Sequence, residues 1–479
     1  MKRRITRLTI VGTLTMVGTA LGYGQLAPDS TTYIMPVPDM GTESRAYPKI
    51  SQPVGPVLKL SREECIRIAL EDNPTIKVAN YEIQRYTYAK RETQGSLFPT
   101  IDFTAAYQRA LELQTMRMNI GGQSQSLKVG SDNTWNMGFS VALPIIAPTL
   151  WKAIQINDVQ IMSALEAARS SKLEMVNQVN QAYYSLLLAL ASRQVLQENY
   201  DVTAMTAEIY QKQFEVGTAS EFDVLRSSVA LKNLEPELLQ ADIAVKQCQL
   251  QLKVLMGIDD MVEIEPTVEL KDLQQEMYSY PLEAGRSLAD NSSLRTLDIQ
   301  KKLLNKTLHL NRSAWIPTLA ATFNYSWTSL SNGSPFKDQQ FNPYSTVGVA
   351  LSVPIFSGGS KYNAMKQTEV QLKELELQRD YLLNSLNMQV DLALDNINRE
   401  AQQIASSEEG MKQAKKAHEI MQKSFEIGAA SYLDLRDSEL ADTAAQLAYY
   451  QAIYNFLISS SELDLLLGKE TYLTGTTAY

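Results

Sequence analysis

The segment Phe214-Glu215-Val216-Gly217-Thr218-Ala219-Ser220-Glu221-Phe222-Asp223 returns 211 residues later as Phe425-Glu426-Ile427-Gly428-Ala429-Ala430-Ser431-Tyr432-Leu433-Asp434. In both copies a turn glycine is followed at one fixed distance by serine and then by aspartate. The match extends along the chain. Gly257 and Gly468 each lie 40 residues past the turn glycine, while Pro144 and Pro354 precede it by 73 and 74 residues. Pro99 and Pro317 open strand-like runs 25 residues after Pro74 and Ser292. Landmarks recurring in one order at nearly constant spacing mark a tandem duplication, which governs every local assignment that follows.

Each copy reads as short helix, helix, strand, strand, very long helix, tight turn and long helix. The first copy spans 58–257 with strands at about 98–108 and 134–144, and the second spans 282–468 with strands at about 317–329 and 343–354. The strands alternate with period 2. Ile101, Phe103, Ala105 and Tyr107 face one way, as do Trp135, Met137, Phe139, Val141 and Leu143. In the second copy Leu319, Ala321, Phe323, Tyr325 and Trp327 form such a face, followed by Val347, Val349, Leu351 and Val353. Thr, Ser, Asn and Gly fill the opposite faces. That pattern suits a barrel wall between lipid and water, and it also fits a soluble hairpin lying on a core. The connections Arg109 to Asn133 and Leu330 to Asn342 are polar and glycine-bearing and read as exposed loops.

Between Pro148 and Gly217 there is neither proline nor glycine, and between Lys361 and Phe425 only Gly410 interrupts. Helices of that length extend on the order of 100 Å. Their apolar residues form narrow stripes: Leu173, Val176, Tyr183, Leu187 and Leu190, then Leu375, Leu382, Leu386, Val390 and Ile397. Narrow stripes on very long helices argue coiled-coil packing. The predicted fold class is thus mainly α with transmembrane β: long antiparallel helical hairpins plus four strands per chain. Four strands cannot close a barrel alone, because lipid leaves two sheet edges unsatisfied. A cyclic oligomer is the remedy.

The chain has 479 residues and a net charge of −9, which disfavours a nucleic-acid surface. Two histidines, His309 and His418, leave almost no material for a catalytic or metal site, and no cofactor is expected. Cys65 and Cys248 exclude a disulfide framework, with a single bridge between them the remaining option. Lys2, Arg3, Arg4 and Arg7 precede the apolar run Leu8–Leu21 and the small residues Ala20, Gly22 and Gly24. This reads as a signal peptide over 1–24, against a short membrane anchor. A proline-bearing leader over 25–57, a linker over 258–281 and a tail over 469–479 complete the plan.

Four stretches resemble the TolC family of outer-membrane factors: Phe425 to Asp437, Val353-Pro354-Ile355-Phe356-Ser357-Gly358-Gly359, Trp315-Ile316-Pro317, and the helix from Leu60 ending in Asn73-Pro74. The resemblance covers residues 58 to 470 or so. It implies a homotrimer with twelve strands in the bacterial outer membrane, a helical tunnel through the periplasm and an equatorial belt. It also implies a periplasmic adaptor (membrane fusion) protein and an inner-membrane transporter as partners. The function it implies is the exit duct of a tripartite efflux pump or type I secretion system. An alternative is a periplasmic coiled-coil adaptor or scaffold without a membrane barrel, which would have no need of two duplicated amphipathic strand pairs. An enzyme is a further class, for which no convergent acid, base and nucleophile stand out.

In that family, acidic side chains just after the second turn ring the periplasmic constriction, and Asp434 and Asp437 occupy the matching positions. Ser431 with Asp434, and Ser220 with Asp223, are equally readable as capping boxes. Asp437 lies beyond the first turn, where an exposed helix carboxylate is the plain alternative. Arg226 stands where the second copy has Asp437, and Arg436 neighbours both aspartates. These cations are expected to pair with the carboxylates in an oligomer. Members of the family can carry a basic residue shortly after the turn glycine that locks the closed state, whereas this chain has Ala429-Ala430. The expected gate set is therefore Asp434, Asp437, Asp223, Arg226 and Arg436, above the turn glycines Gly217 and Gly428.

Overall fold

The computed structural model describes residues 57–120, 123–258, 262–274, 287–336 and 339–470. The signal segment, nearly all of the leader and most of the tail lie outside the described residues, as does most of the short helix expected before Ser292. The first copy comprises β1 (Val57–Leu60), α1 (Arg62–Asp72), α2 (Pro74–Gly95), β2 (Thr100–Arg109), β3 (Gln114–Ile120), β4 (Gln123–Val129), β5 (Asn133–Ile146), α3 (Pro148–Glu215) and α4 (Glu221–Met256). A connection follows, holding β6 (Glu263–Pro266) and a 3-10 turn (Leu270–Leu273). The second copy comprises α5 (Ser292–Ser313), β7 (Thr318–Ser331), β8 (Asn342–Ser352), α6 (Ser360–Glu426) and α7 (Tyr432–Leu467).

Strands β2, β5, β7 and β8 form one antiparallel sheet in that order, so the two copies join through β5 and β7. The register aligns the alternating faces across all four strands. Ile101, Val141, Phe323 and Val347 share a row, and so do Asp102, Ser140, Asn324 and Thr346. One face is therefore predominantly apolar and the other predominantly polar or small. The stretch from Arg109 to Asn133 is more than a loop: it holds the hairpin β3–β4. Short alternating runs such as Met116, Met118 and Leu127, Val129 carry that hairpin, and their polar neighbours masked it in the sequence.

The helices form a layer of four columns. Column one is α4 followed end to end by α2, column two is α3, column three is α7 followed by α5, and column four is α6. The predicted stripes lie inside this layer: Leu173, Val176, Tyr183 and Leu187 are buried, as are Leu375, Leu386, Val390 and Ile397. One core at mid-height joins α1, α3, α4, α6, α7, Ile264 of β6 and the 3-10 turn. Val57, the last residue assigned to the leader, opens β1, which pairs in parallel with β6. Both cysteines are free, and burial pushes the Cys65 thiol up to about 12.

Two asparagines splice the end-to-end columns. Asn73 caps α2 through Oδ1, which accepts from Thr75 N (2.7 Å), while Nδ2 donates to the Leu255 carbonyl at the end of α4 (2.8 Å). Asn291 does the same for α5 and α7, accepting from Leu294 N (3.1 Å) and donating to the Leu466 carbonyl (2.7 Å). Each side chain thereby satisfies one orphan group from each of two helix ends. Gly257 and Gly468 close the lower helices in the left-handed region, at φ 68° and 67°. Arg169 of α3 reinforces the second splice by donating to the Gly468 carbonyl (2.9 Å) and the Asp290 carbonyl (3.0 Å).

A methyl at Gly468 would stand 2.1 Å from the Asp290 carbonyl oxygen, whereas at Gly217 it would meet nothing within 4 Å. Gly217→Ala is therefore expected to cost only the left-handed penalty of roughly 1–2 kcal/mol. Gly468→Ala is expected to cost clearly more, about 3 kcal/mol or above. Thermal unfolding followed by helical circular dichroism reads the difference, and equal losses would contradict the splice.

Candidate gate at the hairpin tips

At each tip the long helix ends in a glycine turn. Gly217 and Gly428 have φ of 78° and 76°, and the next residue's amide reaches back to the helix: Thr218 N to Gln213 O and Ala429 N to Ser424 O, both 2.8 Å. The return helix then starts on a full capping box in each copy. Ser220 Oγ donates to Asp223 Oδ2 (2.6 Å) and accepts from Asp223 N (3.2 Å); Ser431 Oγ and Asp434 repeat this at 2.7 and 3.2 Å. Asp223 and Asp434 are thus capping residues in this geometry. The Ser431 hydroxyl, joined by its backbone N–H, holds the Asp434 carboxyl below the usual aspartate range. The cap is complete above the ordinary value of 3.8 and is lost as pH falls through the lower folded value.

Asp437 is exposed on α7, three residues from Asp434 and on the same helix face, and among the described residues it forms no ion pair. Neither basic residue pairs with these aspartates within the chain. The Arg226 guanidinium lies over the Tyr432 ring, 5.3 Å from its centroid. Tyr210 of α3 meets Tyr432 edge-on at 5.4 Å and Phe425 at 6.1 Å. This aromatic cluster joins the first hairpin to the second. The Tyr432 hydroxyl is buried without a hydrogen-bond partner among the described residues, and burial raises its pKa.

Arg436 turns inward and away from both aspartates. Its Nη1 donates to Glu439 Oε2 (2.9 Å), Thr203 Oγ1 (3.0 Å) and Asn199 Oδ1 (3.3 Å). Thr203 Oγ1 donates to Glu439 Oε1 (2.8 Å), and Asn199 Nδ2 donates to Thr443 Oγ1 (3.0 Å). Asn199, Thr203 and Glu439 are all buried. A network with several shared partners in a low-dielectric seam fixes one register between α3 and α7. The sequence reading missed these residues, as it missed Tyr210 and Tyr432. The available signal was the helical spacing of polar residues: Asn199 with Thr203, and Arg436 with Glu439 and Thr443.

Residues 65–258 and 284–469 match the outer membrane efflux protein family. The chain belongs to that family. The alkaline protease secretion protein AprF of Pseudomonas aeruginosa is 22% identical over 406 residues, covering 84% of this chain and 83% of the relative. The outer membrane protein TolC of Vibrio cholerae is 19% identical over 407 residues, covering 84% and 89%. The crystal structure of the Campylobacter jejuni CmeC outer membrane channel superposes with a TM-score of 0.67 at 17% identity, covering 86% of this chain and 88% of that one. TolC is an outer membrane protein, CmeC an outer membrane channel and AprF a protease secretion protein, so the reading as a duct holds and the barrel-free scaffold is set aside. The protein resides in the bacterial outer membrane and extends into the periplasm.

Removing the cation from the buried seam leaves Glu439 uncompensated. Arg436→Ala is expected to destabilise the fold by about 3 kcal/mol, whereas Asp437→Ala, at an exposed position, should change stability by less than about 0.5 kcal/mol. Chemical denaturation of both variants checks the contrast.

Proposed function

We propose that three copies of this chain close one continuous duct, with strands across the outer membrane and helical columns below it. The carrying observation is that the chain stops at both lateral edges of both layers. Among the described residues, β2 and β8 each pair on one side only. On the helical edges, apolar residues stay exposed in regular stripes. Val370, Leu377, Tyr381, Met388 and Leu392 repeat on α6 at intervals of seven and four, an 11-residue period that suits nearly straight helix pairing. The opposite column exposes Leu225, Val229 and Val254 on α4, then Val78, Tyr81 and Tyr88 on α2. A second copy is the natural cover for both.

The strand count favours three. Two copies would give an eight-stranded barrel, whose lumen side chains alone fill. A third copy is the smallest addition that leaves an aqueous path. The duct has no chemistry to perform: it is passive, and a periplasmic adaptor docking at the tips together with an inner-membrane transporter would supply cargo and energy.

The gate is proposed at the tips, where exposed Asp437 and the capping Asp434 of each copy would form acidic rings attracting cations. Arg226 holds the first hairpin to the second through Tyr432, so its role is to keep the tip closed rather than to neutralise the ring. Single-channel recording of the purified protein in planar bilayers tests both parts. Arg226→Ala should raise conductance, and Asp437→Ala should reduce the preference for cations. Unchanged conductance and unchanged salt dependence in both variants would refute the gate.

A further inference from the structure

Inside each chain the two copies of the duplication meet along one helical seam, α3 against α7 and α5. That seam is a template for the seam between chains. Adding 211 to a residue number carries α3 onto α6 and α4 onto α7, and adding 218 carries α2 onto α5. The correspondence holds at the level of single hydrogen bonds. Asn157 Nδ2 donates to Thr93 Oγ1 (2.5 Å), and at the corresponding positions Asn311 Nδ2 donates to Thr368 Oγ1 (3.0 Å). In a closed ring α6 therefore meets α4 and α2 of the next copy as α3 meets α7 and α5.

The seam within the chain shows which positions face each other. Gln155 meets Lys306 (3.2 Å), Asn177 and Asn180 meet Ser461 (2.8 and 3.2 Å), and Asn199 meets Thr443 (3.0 Å). Shifted by the repeat, these pairs become Lys366 with Tyr88, Met388 and Asp391 with Leu250, and Gly410 with Lys232. The exposed stripe of α6 lies on this flank, so Val370 fits between Tyr81 and Tyr88 of the next copy.

The polar lock is not repeated. Where the seam within the chain has Asn199, Thr203, Arg436 and Glu439, the flanks between chains carry Gly410, Ala414, Leu225 and Ser228. Other groups have to set the register. Asp395 and Lys246 occupy the positions of Tyr184 and Leu457, both buried in the seam within the chain. Lys373 and Tyr81 occupy those of Met162 and Ile299. All four are exposed, and Asp395, Lys246 and Lys373 form no ion pair among the described residues.

We propose that the outer flank of α6 binds α4 and α2 of the next copy in this one register, fixed by an ion pair between Asp395 and Lys246 and by Lys373 over the Tyr81 ring. The proposal rests on the ring of copies described above. A second copy is the occupant because the duplication builds the same fit inside each chain, and because the free edges of β2 and β8 lie on the same two flanks. Exposed ionic and cation–π contacts add little affinity, and their effect is to select an alignment. A slip of one turn sets Asp395 against Asp242 and Lys373 against Lys77 in one direction, and against Leu250 and Arg85 in the other.

The test uses the full-length protein with Cys65 and Cys248 replaced by alanine, and heat-modifiable migration of every variant is checked first. Within one chain α6 and α4 are separated by two columns, so a disulfide between them joins different chains. Met388→Cys with Leu250→Cys, oxidised in the outer membrane, should give covalent species ending at three chains. Met388→Cys with Ile243→Cys, shifted by about 10 Å along α4, should give none. Asp395→Lys or Lys246→Asp alone should speed dissociation of the oligomer roughly fivefold, and the two together should restore the original rate. Lys373→Gln and Tyr81→Leu should each speed dissociation, and combining them should add nothing further. An oligomer linked through Ile243 alone or through neither pair, a double charge exchange no better than either single one, or additive effects at Lys373 and Tyr81 would overturn the register and leave the ring standing. A protein that never migrates as an oligomer would overturn the ring and this proposal with it.

Discussion

Among the described residues, the amides and carbonyls on the outer edges of β2 and β8 have no sheet partner. In hydrocarbon each such group costs several kcal/mol, far more than any surface contact in this molecule recovers. That constraint orders everything else. It demands partners of the same kind on both sides, and the helical layer below obeys the same demand with its exposed apolar edges. Because the columns follow the strands in lateral order, β2 above α2 and β8 above α6, one rotation between copies would satisfy both layers at once.

Continuity between the layers depends on small, local chemistry. Two of the four helical columns are broken, and asparagine amides mend them by bonding one helix end with oxygen and the other with nitrogen. Glycine is required beside each break because the chain leaves the lower helix in the left-handed region while another backbone passes close by. The second break is stitched more firmly than the first, through Arg169, which also pairs with the buried Glu166. The two copies therefore share a plan and differ in stiffness.

Much of this was legible in the chain itself. The duplication, the strand faces and the long helices follow from spacing and period, since those are properties of one chain's own backbone geometry. Asp223 and Asp434 were readable as caps because a capping box is a local motif. The roles of Arg226 and Arg436 were not. Charge rules in sequence pair a cation with the nearest carboxylate, whereas Arg226 lies over Tyr432 and Arg436 is claimed by Glu439 and by Asn199 and Thr203 more than two hundred residues away. The β3–β4 hairpin escaped for a different reason: both its strands are short and their described side chains are exposed, so no buried face imposes a strong alternation.

The claim on which the account turns is the seam between β2 of one copy and β8 of the next. It is tested most directly by Thr104→Cys combined in turn with Tyr344→Cys, Thr346→Cys and Gly348→Cys, on the polar face, with Cys65 and Cys248 replaced by alanine. Cysteines placed across a paired seam come within disulfide reach. The account predicts that at least one pair, oxidised in the outer membrane, yields covalent species ending at three chains on non-reducing electrophoresis. A single-chain band for every pair would contradict it.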